Sequence, residues 1–243
     1  MLFPLWQLSE CLLLLDDDPW KAYEQFKAIT KYSNTNQFAN TFLCIKGIRS
    51  SLDEIKRRIE GSLIDYVYKS ETEEAYDRLI STLTHYDNID QLILRQEQIA
   101  YNKVCVSNEL YECNRFLEKY GEINIMHWNS IETRRDSLAF IYLQPTAWSC
   151  KRYLSQYPKS NYCRKVKELE VDYAFNEAKR DGTIDSFHSF LRDYPSSNYV
   201  GVVRVLLDEA LLKNYCRADV MVEDLDKFMS NNQLSESSLS RIS

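Results

Sequence analysis

The stretches YLSQYPKSNY (residues 153–162) and FLRDYPSSNY (residues 190–199) are near copies of each other. Tyr157 and Tyr194, the residues before the two prolines, lie 37 positions apart in the chain. Ser160, Asn161 and Tyr162 of the first stretch recur at the same distance, as Ser197, Asn198 and Tyr199 of the second. A period of this length is typical of stacked helix-turn-helix units, so the sequence predicts a helical repeat.

Related stretches lie on both sides of this pair. FLEKYGE places Tyr120 another 37 positions before Tyr157, and LISTLTHYDNID places Tyr86 a further 34 positions upstream. In the other direction, DKFMSNNQLSESSL places Phe228 at 38 positions after Phe190. The spacing therefore predicts about five helix-turn-helix repeats, of 34 to 38 residues each, between positions 67 and 230.

The unit that begins at Gly182 explains what the duplicated residues do. Thr183 can cap a first helix, because its hydroxyl can accept from the free amides of the first turn. Tyr194 is expected to end that helix, since a residue before proline avoids the helical conformation. Ser196 or Ser197 would then cap a second helix. The expected apolar residues of the two helices are Ile184, Phe187, Phe190, Leu191, Val202, Val203, Leu206, Leu207, Ala210 and Leu211.

The preceding unit follows the same plan. Its first helix is expected to end at Tyr157, and Ser160 is expected to cap its second helix. Tyr157 and Tyr194 are each predicted to pack into the angle between two helices rather than to contact a ligand. The expected apolar residues of this unit are Trp148, Tyr153, Leu154, Val166, Leu169, Tyr173 and Ala174.

The turn pattern F-L-x-x-Y-P-x-S-x-Y resembles that of tetratricopeptide-like helical repeat proteins, above all the variant in bacterial envelope-assembly and cell-division-coordinating lipoproteins. The resemblance covers Ser160–Lys213 well and Val67–Leu154 loosely. It implies an all-α fold, a right-handed superhelical stack of antiparallel helix pairs known as an α-solenoid. It also implies that the protein binds other proteins.

The whole chain, residues 1–243, is expected to form a single α-helical repeat domain. Residues 1–66 would supply irregular N-terminal helices. One would open at Asp18-Pro19, an N-cap followed by a first-turn proline, and another at Ser51, whose spacing to Glu54 fits a capping box. Residues 231–243 are polar and serine-rich, so a C-terminal cap or a frayed tail is expected there.

Composition narrows the possible functions. The chain has only 5 glycines, which leaves no place for a glycine-rich phosphate loop. Its net charge of −6 argues against nucleic acid as a partner, because phosphate binding needs a positive surface. The 17 tyrosines suit shallow helix–helix interfaces, where the ring packs and the hydroxyl reaches water or a backbone acceptor.

The sequence also lacks a recognisable chemical centre. The 7 cysteines are odd in number and irregularly spaced, which favours free thiols in a reducing compartment. None of His85, His127 and His188 has a partner at the spacing of a zinc site. Acids at positions 16–18 are explained by the dipole of the following helix. No metal, no cofactor and no enzymatic activity are therefore expected.

The first twenty residues, MLFPLWQLSECLLLLDDDPW, lack the basic start and the cleavage site of a signal peptide. Their apolar run is also too short to span a bilayer. A cytoplasmic location without membrane insertion is therefore predicted, and self-association through Leu2–Leu15 is an open possibility. If an export signal was removed, the alternative is a periplasmic envelope-assembly lipoprotein.

The expected function is that of a non-catalytic protein–protein interaction scaffold or adaptor. The first helices of stacked pairs line a groove that can take a peptide or a helix of a partner protein. The predicted protein-binding residues are non-core positions of first helices, namely Arg152, Gln156, His188 and Arg192. A regulatory subunit of a catalytic complex is the alternative.

Overall fold

The computed structural model describes residues 17–32, 43–45, 48–50, 52–121 and 123–216. These ranges contain ten helices: α1 (Pro19–Tyr32), α2 (Leu52–Ser70), α3 (Glu73–Thr82), α4 (Ile89–Val106), α5 (Leu110–Tyr120), α6 (Ile125–Ile141), α7 (Ala147–Gln156), α8 (Cys163–Asp181), α9 (Ile184–Asp193) and α10 (Val200–Cys216). Two short strands, β1 (Leu43–Ile45) and β2 (Ile48–Ser50), pair in antiparallel fashion between α1 and α2. The predicted all-α class is confirmed, with this small hairpin as an addition.

The chain divides into two compact units, each with its own core. Unit 1 consists of Met1–Ser107 and Phe116–Trp128, and unit 2 consists of Asn108–Arg115 and Asn129–Ser243. In unit 1, α1 packs on α2, α2 on α3, and α3 on α4. Its main apolar cluster is formed by Leu63, Ile64, Val67, Tyr76, Leu79, Leu83 and Leu92.

Unit 2 is built from helix pairs. The helix α7 packs on α8, α9 packs on α10, and α8 also contacts α9. One apolar cluster surrounds the first of these pairs and includes Ala139, Cys150, Tyr153 and Val166. A second cluster surrounds the next pair and is formed by Ala178, Phe187, Phe190, Val203 and Leu207. Helices packed in successive pairs are compatible with a helical repeat fold.

Three of the tyrosines take part in a recurring stack of two aromatic rings. In each stack, one ring lies on the second helix of a helix pair. The other ring comes after the turn that ends the following first helix, and the two rings are nearly parallel. Contacts between aromatic rings stabilise the packing beyond the burial of area alone. The stacks are Tyr101–His127 at 3.8 Å between ring centroids in unit 1, and Phe140–Tyr162 at 4.6 Å and Phe175–Tyr199 at 4.2 Å in unit 2.

The predicted helix ends agree with the structure. The helices α7 and α9 end at Gln156 and Asp193, and the residue before each proline is the C-cap. Thr183 accepts a hydrogen bond from the amide of Ser186 at 3.2 Å and so caps α9, as predicted. Asp18 likewise accepts from the amide of Lys21 at 3.0 Å, at the start of α1.

The turn serines act differently from the prediction. Ser160 does not cap α8, because the N-cap of that helix is Tyr162. Instead, the Ser160 hydroxyl accepts from the amide of Tyr162 at 3.2 Å, inside the turn. Ser197 accepts from the amide of Tyr199 at 3.1 Å in the same way. The chain makes a further turn between proline and helix, so these serines stabilise the turn rather than the helix end.

Three further expectations need correction. Trp148 and Val202 were assigned to the core, but their exposed fractions are 67% and 51%. The residue that corresponds to Tyr120 in the first pair is Leu83, the C-cap of α3, whereas Tyr86 lies three residues later in the turn. Helix α2 begins at Leu52, as expected, but Ser51 lies outside the described residues, as do Leu2–Leu15, Phe228 and residues 231–243.

Candidate functional site

A groove in unit 2 lies along the start of α5, the end of α6 and the whole of α7. We call it the Arg152 groove, and its volume is about 460 Å³. Its walls combine aliphatic and aromatic side chains with neutral polar groups and one cation. The lining residues are Leu110, Ala139, Tyr142, Leu143, Gln144, Thr146, Trp148, Ser149, Arg152, Tyr153, Gln156 and Tyr157.

A second groove lies in the following repeat of the same unit, between α7, α8 and α9. We call it the Lys151 groove, and its volume is about 490 Å³. It is more strongly charged than the Arg152 groove, since it contains two cations and three carboxylates. The lining residues are Ala147, Lys151, Ala174, Glu177, Ala178, Arg180, Asp181, Ser186, Ser189, Phe190, Asp193 and Tyr194.

The two grooves are formed by the same positions of successive repeats. On the first helices, a shift of 37 positions converts one lining into the other. The equivalent pairs are Ser149 and Ser186, Arg152 and Ser189, Tyr153 and Phe190, Gln156 and Asp193, and Tyr157 and Tyr194. The repeat therefore presents one face of the helix pairs twice, with different side chains at its rim.

The floor of the Arg152 groove is held by a buried tyrosine. The Tyr153 hydroxyl donates to the carbonyl oxygen of Asp136 at 2.9 Å and lies 2.7 Å from the Ser160 hydroxyl. Burial raises the pKa of Tyr153 to about 12, so the phenol stays protonated. These bonds connect α6, α7 and the following turn, and thereby fix the groove floor relative to its walls.

Two glutamate side chains of α8 accept hydrogen bonds that fix the walls of the Lys151 groove. The hydroxyl of Tyr194 donates to Glu170 at 2.8 Å, and burial, together with that bond, raises the pKa of Tyr194. The carboxylate of Glu177 accepts from the backbone amide of Ala147 at 3.0 Å, at the start of α7. Both acceptors lie on α8, so this helix sets the position of α7 and α9.

Of the four protein-binding residues predicted from sequence, two line a groove and two do not. Arg152 and Gln156 line the Arg152 groove. His188 and Arg192 are exposed on α9 and belong to neither of the two grooves. Arg192 instead lies beside Asp193, with the two side chains 3.0 Å apart.

Several groove residues were missed in the sequence. The helical spacing of Trp148 predicts a core residue, yet Trp148 is exposed and lines the groove with Tyr142. Lys151 was not singled out, although its position is that of His188 in the next repeat. One signal for both positions was their place on the same first helix as the predicted Arg152.

In unit 1, the position equivalent to Gln156 and Asp193 is occupied by Lys119, which forms ion pairs. Its ammonium lies 2.8 Å from Glu73 and 2.8 Å from Asp77. Burial alone would lower the pKa of Lys119, but its hydrogen bonds to the two carboxylates raise the pKa above its ordinary value. Gln96 also donates to Asp77, at 2.7 Å. This network joins α3, α4 and the end of α5.

The histidines and cysteines do not form a recognisable reactive centre in the described part of the chain. His127 lies 2.9 Å from the buried carboxylate of Glu97, and its ring stacks on Tyr101. Burial raises the pKa of the Cys150 thiol, which disfavours the reactive thiolate. Residues 17–32, 43–45, 48–50, 52–121 and 123–216 contain no group of three or more side chains that could hold a metal ion.

None of the described helices is both long enough and apolar enough to cross a membrane. The sequence matches no protein-family model and is similar to no curated protein.

Proposed function

We propose that the chain is a non-catalytic interaction scaffold that binds a peptide or a helix of a partner protein along its first helices. The observation that carries this proposal is the pair of equivalent grooves in unit 2. Open grooves at equivalent positions of successive repeats offer a partner segment contacts from several helices. We also propose that the helix pairs stack in the right-handed manner of a tetratricopeptide-like solenoid.

The composition of the grooves supports protein recognition. Trp148 and Tyr142 are large aromatic side chains with exposed fractions of 67% and 59%. Aromatic residues and arginine are enriched at the centres of protein interfaces, because they combine a large apolar area with a polar group. Their presence at the rim of one groove gives a partner an apolar anchor and a charged contact together.

The test is site-specific photo-crosslinking of selected peptides. Peptides are first selected on the full chain from a random displayed library. A photoreactive phenylalanine derivative is then placed at Gln156 in one groove or at Asp193 in the other. We expect selected peptides to crosslink at one or both of these positions.

The control position is Arg164, whose side chain is 93% exposed on the second helix α8. Crosslinking there should be absent, because this residue lines neither groove. Selected peptides that crosslink equally at Arg164 would contradict the proposal, as would a library from which no peptide is enriched.

A further inference from the structure

We infer that the Arg152 groove binds a segment of a partner protein in which an Asp or Glu side chain lies next to apolar side chains. This inference rests on the proposed function, and adds to it the chemistry of the ligand.

The lining of the Arg152 groove has one formal charge, and that charge is positive. The other lining residues are aliphatic, aromatic, amide or hydroxyl side chains, and none is an acid. The Lys151 groove differs, since its cations Lys151 and Arg180 lie among Glu177, Asp181 and Asp193. A carboxylate of a ligand is therefore attracted to the Arg152 groove without meeting a like charge in its walls.

The Arg152 guanidinium is oriented, and it has no acidic partner in the part of the chain that the structure describes. It lies over the ring of Trp148, with 5.1 Å between the guanidinium carbon and the ring centroid. Within the described residues it forms no ion pair, whereas Arg192 on the next first helix lies 3.0 Å from Asp193. A guanidinium that stacks on an indole uses its flat face for that contact. Its N–H groups point outward from the edge of the guanidinium plane, and they can donate to a carboxylate.

The surface beside this cation is apolar. Tyr142 and Leu143, which directly follow α6, line the same groove as Leu110 at the start of α5. Tyr142 is 59% exposed, so contact with a ligand would remove apolar area from water. A single arginine matches the single charge of a carboxylate, whereas phosphate recognition uses clusters of cations. The groove thus fits an acidic residue flanked by leucine or phenylalanine.

The experiment begins with the peptides enriched on the full chain from a random displayed library. We expect these sequences to combine Asp or Glu with neighbouring Leu, Ile, Phe or Trp. One enriched sequence is then synthesised with a fluorescent label, together with a version in which Asp becomes Asn and Glu becomes Gln. Fluorescence anisotropy should show binding of the amide version that is weaker by roughly tenfold or more, because a charge-assisted hydrogen bond is lost.

The discriminating variant is Arg152→Ser, which installs the residue that the next repeat has at the equivalent position, Ser189. This variant should bind the acidic and the amide peptides with nearly equal affinity. The control, Arg164→Ser, removes an equal charge from an exposed site on α8 and should keep the full preference for the acidic peptide. Circular dichroism of both variants checks that helicity is unchanged.

The outcomes separate the inference from the proposed function. Enriched peptides without acidic residues, or an Arg152→Ser variant that keeps the preference for acid, would overturn the inference and leave groove binding intact. Failure to enrich any peptide would overturn both. Loss of preference in Arg152→Ser alone supports the assignment of Arg152 as the carboxylate contact.

Discussion

At the scale of single residues, one buried aromatic position has a different role in each of two successive repeats. Tyr153 and Phe190 occupy equivalent positions on α7 and α9, and each is only 3% exposed. Tyr153 donates a hydrogen bond to a carbonyl of α6, whereas Phe190 has no hydroxyl to donate. The side chain at this position therefore packs in the core of both repeats, and in one of them it also forms a hydrogen bond to a neighbouring helix.

Removal of the Tyr153 hydroxyl should destabilise unit 2. In a Tyr153→Phe variant, the carbonyl oxygen of Asp136 and the hydroxyl of Ser160 lose a buried partner. The expected loss is about 1–3 kcal/mol in the free energy of unfolding, the cost of an unsatisfied buried polar group. Urea denaturation followed by circular dichroism measures it.

The control for this experiment is Tyr157→Phe. Tyr157 lies half-buried beside Tyr153, and its hydroxyl makes no hydrogen bond within the part of the chain that the structure describes. This variant should unfold at nearly the wild-type urea concentration. Equal effects of the two substitutions would show that the hydrogen bonds of Tyr153 contribute nothing specific.

At the scale of helices, the N-cap of α9 and the helix end before each proline were the most predictable features of the fold. Thr183 and Tyr194 were assigned correctly because capping and the effect of proline depend only on adjacent residues. The exposure of Trp148 was not predictable in this way. An aromatic residue at helical spacing indicates a face, but only the packing of neighbouring helices decides which face is buried.

The candidate site was predictable to a similar extent. Arg152 and Gln156 were predicted because they are polar positions on a first helix, and the structure places both in the lining of a groove. His188 and Arg192 satisfy the same criterion, yet they belong to neither of the two grooves. Sequence spacing identifies the helix that contributes to a groove, whereas tertiary contacts with the neighbouring helices decide which of its exposed residues line that groove.

Helix caps offer a test with a control inside the chain. Thr146 and Thr183 accept hydrogen bonds from the amides of Ser149 and Ser186, each at 3.2 Å. Replacement of either threonine by alanine should lower the free energy of unfolding by about 1 kcal/mol, because a first-turn amide loses its acceptor. Thermal or urea denaturation of each single variant measures this.

Thr72 provides the comparison, since it occupies the N-cap of α3 without a side-chain hydrogen bond to that helix. Thr72→Ala should therefore have a clearly smaller effect than the other two substitutions. A loss at Thr72 as large as at Thr146 and Thr183 would refute the assignment of these hydroxyls as the source of the stabilisation.

At the scale of the whole molecule, several groups with raised pKa values link stability to alkaline pH. Burial raises the pKa of Tyr153 to about 12, and burial with the bond to Glu170 raises that of Tyr194. The fold therefore favours the protonated phenols. Their contribution is fully present below the ordinary tyrosine pKa of about 10 and is lost as the pH rises towards the folded-state values.

We accordingly expect the urea midpoint to fall once the pH exceeds about 10. The measurement is a series of urea titrations between about pH 8 and pH 11, followed by circular dichroism. A double variant, Tyr153→Phe with Tyr194→Phe, should start from a lower midpoint and decline less steeply. If its decline matches that of the wild type, these two phenols are not the source of the pH dependence.

The repeated turn has a consequence for how such a chain can change length. Tyr157 and Tyr194 end equivalent helices, and each is followed by a proline and a stabilising serine. Deletion of residues 158–194 would join Tyr157 directly to Pro195 and recreate the same turn sequence. Phe140 could then stack on Tyr199 as it now stacks on Tyr162. Duplication or loss of whole 37-residue modules by recombination would thus preserve each junction and change only the number of grooves.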